Sequence, residues 1–408
     1  MPVLLIGTLD TKGVETAYAR DRLLAAGVAV VVLDAGVIGP PAFTPDISRD
    51  AVFAAAGASA AAVKAAGDRG NAVALAADGA ARIAADLHAR GGLAGVLSLG
   101  GSAGTTIGTA AMRALPVGVP KLMVSTLASG QVGPFVGTRD ILMLYSVVDV
   151  AGLNRVSRAV LDNAAAAMAG MVRSKSRVSS SDMDDRPLVA ATMFGVTTPC
   201  VEAARQLLEA AGCEVLVFHA TGTGGRTMEG LIRDGVIAGV LDITTTELAD
   251  ELAGGILSAG PDRLTAAAAA GVPQVISVGA LDMANFGPPD TVPARHAGRR
   301  FYHHNPNVTL MRTTPDECGR LGAEVGRKAT AATGPAAVLL PLRGVSAVDA
   351  AGQPFWWPEA DAALFAGVRD ALAPHVELQE HDCHINDPAF AAACARTLLR
   401  LMAGVRRR

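Results

Sequence analysis

The chain has 408 residues, half of them hydrophobic and 18% charged. That composition excludes an intrinsically disordered protein, and the length exceeds the ~100–200 residues of one ordinary core, so two lobes are expected. Thirty-five Lys plus Arg against 38 Asp plus Glu leave a formal charge of −3, which excludes bulk electrostatic attraction to nucleic acid or to an anionic membrane; any bound anion must be captured locally. Five cysteines without C-x-x-C spacing indicate neither a disulfide framework nor a zinc ribbon and suit a reducing cytoplasm.

In chain order, Met1 to Asp10 lacks a basic stretch and its apolar run stops at Gly7-Thr8-Leu9-Asp10, so it reads as a first strand rather than an export signal. Residues 2–34 then read strand, polar loop, helix, glycine turn, strand. Helical material fills 44–90, with Thr44-Pro45-Asp46 and Gly67-Asp68-Arg69-Gly70 as helix-start punctuation. The uncharged stretch Gly91–Met112 is too polar at its centre for a membrane span and reads as strand, loop and helix. A strand over Lys121–Val124 follows. Ser174 to Asp182 is serine-rich and polar, which places a linker at 174–186 between lobes 1–173 and 187–408.

The second lobe repeats the first. Residues 187–219 align with 2–34 at a constant offset of 185, and 234–247 aligns with the stretch around Gly95 at an offset of 144. Its tail adds a helix opened by the capping box Thr314-Pro315-Asp316-Glu317, a strand at Ala337–Leu342, a helix from Pro358, a strand near Val376–Glu380 and a last helix from Pro388. Alternating strands and helices predict an α/β fold of two Rossmann-like, doubly wound parallel-sheet lobes related by internal duplication.

Open parallel sheets bind ligands beyond the carboxyl ends of their strands, where loops feed helix amino termini. In lobe one that rule selects Thr8, Asp10, Thr11 and Lys12 after the first strand, Gly100, Gly101, Ser102, Gly104, Thr105 and Thr106 after another, and Ser125 with Thr126 after a third. Glycines allow close backbone approach, hydroxyls donate, Lys12 supplies a point charge, and Asp10 is a candidate ligand for a phosphate-bridging metal. One helix end contributes only ~0.3–1 kcal/mol to an exposed anion, whereas micromolar binding needs ~8, so several bonds must converge. Tight strand-to-helix turns capped by Ser102, Thr105 and Thr106 explain either loop alone equally well; two such loops on one sheet favour a ligand. Asp34 stands where an acidic residue accepts from a ribose hydroxyl, with capping as its alternative.

Lobe two offers His219, Gly222, Gly224, Gly225 and Arg226 as a second anion loop, and Asp242, Glu247, Asp282 and Asn285 at other strand ends. Asp242 and Glu247 are candidate acids, bases or metal ligands, although Glu247 in a helix's first turn equally serves the dipole. His303-His304-Asn305-Pro306 and His381-Asp382-Cys383-His384 lack H-x-x-x-H spacing and define no zinc site. Phe355, Trp356 and Trp357 read as a packed hydrophobic corner, and Arg406 to Arg408 as a solvated helix end.

The strings GTLDTKGVE, GDRGNAV, SLGGSAGTT, GVPKLMVST, GTRDILMLYSVVDVAGLN, HATGTGG, DMANFG, HHNP, PLRGVS and HINDPAFA occur in order over the whole chain. Together they resemble the ATP-binding domain family typified by the amino-terminal half of the tomato mosaic virus resistance protein. The resemblance implies two Rossmann-like subdomains, ATP binding with or without Mg²⁺, and a homodimer, and it places the nucleotide loops at Thr8–Lys12 and Gly100–Thr106. Trp357 departs from it, standing where an acidic residue is expected. The expected function is thus ATP binding by lobe one, its reaction undefined. The alternative is an enzyme acting on a small carboxylate or phosphorylated metabolite in a cleft between the lobes, with Asp242, Glu247 or His304 as catalytic groups.

Overall fold

The computed structural model describes residues 1–175 and 186–405, in two compact units divided at Met183/Asp184. Most of the serine-rich linker and Arg406 to Arg408 lie outside the described residues; Ser174 belongs to the last helix of lobe one.

Lobe one runs β1 (Val3–Gly7), α1 (Gly13–Ala25), β2 (Val30–Asp34), α2 (Arg49–Ala55), α3 (Ala60–Ala66), α4 (Arg69–Ala89), β3 (Gly95–Gly100), α5 (Ser102–Arg113), β4 (Lys121–Ser125), α6 (Gly133–Val136), β5 (Leu142–Tyr145) and α7 (Arg155–Lys175). The strands form one parallel sheet in the order β2-β1-β3-β4-β5. Strand side chains alternate between faces. Leu4 and Ile6 therefore pack beneath α2, α4 and α5 with Phe53, Ala76 and Ile107, whereas Val3 and Leu5 pack beneath α1 and α7 with Leu23 and Met168. Burial on both faces is why β1 is apolar throughout and β3 carries one polar side chain, Ser98, whose hydroxyl donates to the Ile6 carbonyl.

Lobe two runs β6 (Leu188–Met193), α8 (Thr198–Ala210), β7 (Glu214–His219), α9 (Thr223–Arg233), β8 (Gly239–Thr244), α10 (Glu247–Ala253), α11 (Ala266–Ala270), β9 (Gln274–Gly279), β10 (Met283–Phe286), β11 (Phe301–Asn305), β12 (Val308–Arg312), α12 (Pro315–Thr330), β13 (Ala336–Pro341), α13 (Pro358–Ala371), β14 (Glu377–His381) and α14 (Pro388–Val405). Its parallel sheet has the order β7-β6-β8-β9-β13-β14. Both sheets thus follow the doubly wound order in which the second strand lies outside the first and the third reverses direction of growth. α14 is long and apolar enough to cross a membrane by length and composition, yet Phe390, Cys394 and Leu398 on it pack into the core of lobe two.

Three readings of the sequence change. No helix opens at Thr44-Pro45-Asp46: the Val32 amide donates to the Asp46 carboxylate at 2.7 Å, and the helix begins only at Arg49 behind the Ser48 cap. The strings DMANFG and HHNP lie on an antiparallel sheet, β10-β12-β11, whose non-local pairing left no local signature. In the aromatic corner Phe355 is buried, but Trp356 is exposed and Trp357 lies under the Arg300 guanidinium. Other start signals hold: Asp68 caps α4, accepting from the Asn71 amide at 3.0 Å, and Thr314 with Glu317 forms the capping box of α12.

α4 lies so close to α2 that a β-carbon on Gly79 would collide with the Val52 carbonyl oxygen. Overpacking against backbone costs ~1–3 kcal/mol. Gly79→Val is therefore expected to lower the thermal unfolding midpoint by several degrees, followed by circular dichroism; an unchanged midpoint would show that the two helices separate freely.

Candidate functional site

Lobe one holds a cavity of ≈610 Å³ at the carboxyl ends of β1, β2 and β3. This is the switch point of the sheet, where β1 and β3 send their following segments to opposite faces. α1 and α5 both begin at its wall, and neither start carries a side-chain cap. The first amides of a helix lack intrahelical acceptors, so both ends present donors and positive dipole potential. Lys12, half-buried, lines the same wall and forms no ion pair among the described residues; Arg69 enters from the first turn of α4. A β-carbon on Gly101 would meet only the Thr126 hydroxyl, at 3.7 Å, so that surface is open to a guest.

Thr8, Asp10, Thr11, Lys12, Gly100, Gly101, Ser102 and Gly104 line this cavity. The other residues selected in lobe one do not. Asp34 is buried: it accepts from the Leu9 and Gly36 amides and pairs with the Arg49 guanidinium at 2.7 Å, so it holds loops together instead of meeting a ribose. The Thr105 hydroxyl is buried against that of Ser125 at 2.6 Å, Thr106 donates back to the Ser102 carbonyl, and Thr126 uses its amide on the Gly100 carbonyl. Asp10 lines the cavity, but its Oδ2 already accepts from the Ile38 and Gly39 amides, which makes it a clamp on that turn. Sequence reasoning missed the opposite wall, formed by Ala35–Ile38, by Val63 of α3 and by Ala72, Val73 and Ala76 of α4, together with Asp149. Spacing at i, i+3 and i+4 marks one face of α4, but nothing in it separates a cavity wall from core.

In lobe two α8 and α10, which follow the first and third strands, likewise lack a side-chain cap, and the glycine loop follows the second strand, β7. The glycine loop does form an anion cradle, and a carboxylate of the protein sits in it: Glu247 Oε1 accepts from the Gly222 amide at 2.6 Å and the Gly225 amide at 3.0 Å. Glu247 Oε2 meets Arg263 Nε at 2.6 Å, and Asp242 receives the two terminal nitrogens of Arg263, each at 2.6 Å. Glu229 accepts from the Leu264 and Ala266 amides, at the start of α11, and holds Leu264 at a left-handed φ of 70°. Burial would lower the Arg263 pKa, but Asp242, Glu247 and Glu229 together raise it, and the side chain is fully buried. The candidate catalytic carboxylates are therefore buried partners of one arginine. Of the rest of the loop, Arg226 donates to the Ser258 carbonyl and a β-carbon on Gly224 would strike the His219 backbone, so both serve the turn. His304 stands exposed on β11, and no hydrogen bond or ion pair among the described residues joins it to Asp242 or Glu247.

A second buried cluster surrounds Arg312, whose Nη2 meets Asp361 at 2.6 Å and Asp349 at 3.5 Å. Asp282 accepts from the Ser346 hydroxyl at 2.7 Å. Burial first, then the charge of Asp349, pushes Asp282 up to about 8 and Asp361 up to about 7, against the pull of Arg312. Asp250, buried beside Asn285, is pushed up to about 7 by burial. Among the described residues no cluster of three His, Cys, Asp or Glu side chains is arranged to hold a metal.

Arg263→Met leaves three carboxylates buried without their cation, and removing one partner of such a group costs ~3–5 kcal/mol. Lobe two is expected to unfold at markedly lower urea in that variant, read by tryptophan fluorescence since Trp356 and Trp357 both lie there. Burial holds Asp282 and Asp361 above the ~4 of an unfolded carboxyl, so the folded state binds more protons, and stability falls as pH rises from ~4 to the folded values of about 7 and 8 and levels off above them. Melting temperatures should decline from pH 5 to pH 8, and less steeply in Asp282→Asn; a flat or rising profile would contradict the raised values.

Residues 1–177 match the N-terminal domain, and 186–402 the C-terminal domain, of the Uncharacterised protein family (UPF0261). A UPF0261 protein of Clostridium tetani is 48% identical over 98% of both chains, and the UPF0261 protein RA0729 of Rhizobium meliloti is 49% identical over 96% of both. The ToMV resistance protein Tm-1(GCR237) of Solanum lycopersicum is 47% identical over 76% of this chain, which corresponds to 42% of the tomato protein. The ToMV susceptible protein tm-1(GCR26) is 46% identical over the same share, so the likeness does not follow resistance. With both of its domains matched along nearly the full chain, this protein belongs to the UPF0261 family.

Proposed function

We propose that the chain binds ATP in lobe one, with the phosphates against the starts of α1 and α5. The observation that carries this reading is the convergence of two uncapped helix starts on one cavity of ≈610 Å³ that Lys12 also lines. Such a volume lies in the ~300–1,000 Å³ range of small-molecule sites. Anions favour helix amino termini through amide hydrogen bonds and the dipole together, and two converging ends suit a chain of phosphates better than a single carboxylate. The family resemblance read from the sequence implies the same ligand.

The residues also fit an accompanying magnesium ion. Mg²⁺ takes one or two carboxylates plus phosphate oxygens and keeps its remaining waters. Asp149, exposed on the cavity wall, is the acidic group available for this, since Asp10 is engaged by backbone amides and Asp68 caps α4. In this reading Asp242, Glu247 and Glu229 are structural and have no part in chemistry on the nucleotide.

Charge-assisted hydrogen bonds contribute ~1.5–3 kcal/mol each. Lys12→Ala is therefore expected to weaken ATP binding ~10–100-fold in isothermal titration with Mg²⁺. Gly101→Val, whose side chain enters open space, should weaken it at least as much while leaving the melting temperature unchanged. Wild-type affinity in both variants would defeat the assignment.

A further inference from the structure

The geometry points to α3 and α4 as the wall that receives the planar ring of the nucleoside, an inference that rests on the ATP reading and deepens it. The segment between the second and third strands is 41 residues longer in lobe one than in lobe two, and α2, α3 and α4 occupy it. Lobe two has only α9 there, and its glycine cradle is filled by Glu247. The lobe with the added helices is the one whose strand ends open into the large cavity.

That cavity has two chemically distinct sides. Around Thr8–Lys12 and Gly100–Gly104 it presents amides, hydroxyls and Lys12. Facing it from the inserted helices are Val63, Ala72, Val73 and Ala76, with Ile107 of α5 beside them, all without a polar side-chain atom, while Lys64, Asp68 and Arg69 lie where α3 passes into α4. Their methyl groups make this side apolar, which suits an aromatic ring and offers a phosphate nothing. The turn joining the helices passes through Gly67 at a left-handed φ of 65°, a conformation glycine adopts without strain, and it brings Arg69 to the cavity immediately beyond. The inserted pair thus supplies both an apolar wall and a cation where the wall meets the mouth. The phosphate loops hold the charged end of the ligand, and burial of the ring against α3 and α4 supplies the remaining affinity.

The test compares ATP with inorganic tripolyphosphate, each with Mg²⁺, by isothermal titration on the full chain. Ring burial predicts that the wild type binds ATP at least about tenfold more tightly than tripolyphosphate. Ala72→Leu, which fills the wall, should bring ATP down to the tripolyphosphate level and leave tripolyphosphate unchanged. Val73→Ala, which removes wall surface without adding bulk, should weaken ATP several-fold and leave tripolyphosphate unchanged; it decides the question should the larger side chain disturb folding. Equal affinity of the two ligands for the wild type, or equal loss of both in the variants, overturns the ring wall while leaving the phosphate site standing. Absence of binding by both ligands overturns the ATP reading, and the ring wall with it.

Discussion

Every helix start leaves several amides without acceptors, and the chain meets that constraint in two ways. In lobe two the protein supplies its own anions: Glu247 fills the cradle before α9, Glu229 caps α11, and Arg263 between them balances their charge. In lobe one the starts of α1 and α5 carry no such cap and open on a cavity. α8 and α10, the counterparts of α1 and α5, also lack a side-chain cap, so the self-liganded starts are those of α9 and α11, and the helices inserted in lobe one are what wall its cavity.

Energetics follow from this contrast. The carboxylates around Arg263 are out of water, and their charge is tolerable because one guanidinium and several backbone amides engage them together. Asp282, Asp349 and Asp361 outnumber Arg312 in the same way; there the Val345 amide donates to Asp349, and burial pushes Asp282 and Asp361 toward the neutral form. Among the described residues no side chain caps the starts of α1 and α5, so solvent or a ligand must satisfy those donors.

Much of the frame was legible in the sequence. Constant offsets between 2–34 and 187–219 announce the duplication, strand-end logic selects the turns at Thr8 and Gly100, and Asp68 and Thr314 mark helix starts because capping is a local bond between residues three apart. Side-chain partners were not legible. A carboxylate closing a strand looks the same whether it faces a ribose or, like Asp34, an arginine fifteen residues on. Glu247 looks like a first-turn acid until folding brings Gly222 and Gly225 to it. Nothing in the sequence singles out Ala72, Val73 and Ala76 within the helical stretch 44–90, since core and an apolar cavity wall have the same composition.

Local order, the α/β alternation and the positions of strand ends come from periodicity and capping, which act over a few residues and can be read along the chain. Which of those ends stays open depends on whether a distant side chain arrives to fill it. That outcome is set by packing between segments tens of residues apart, and only the folded lobes, with Glu247 lodged before α9 and nothing of the kind before α5, decide it.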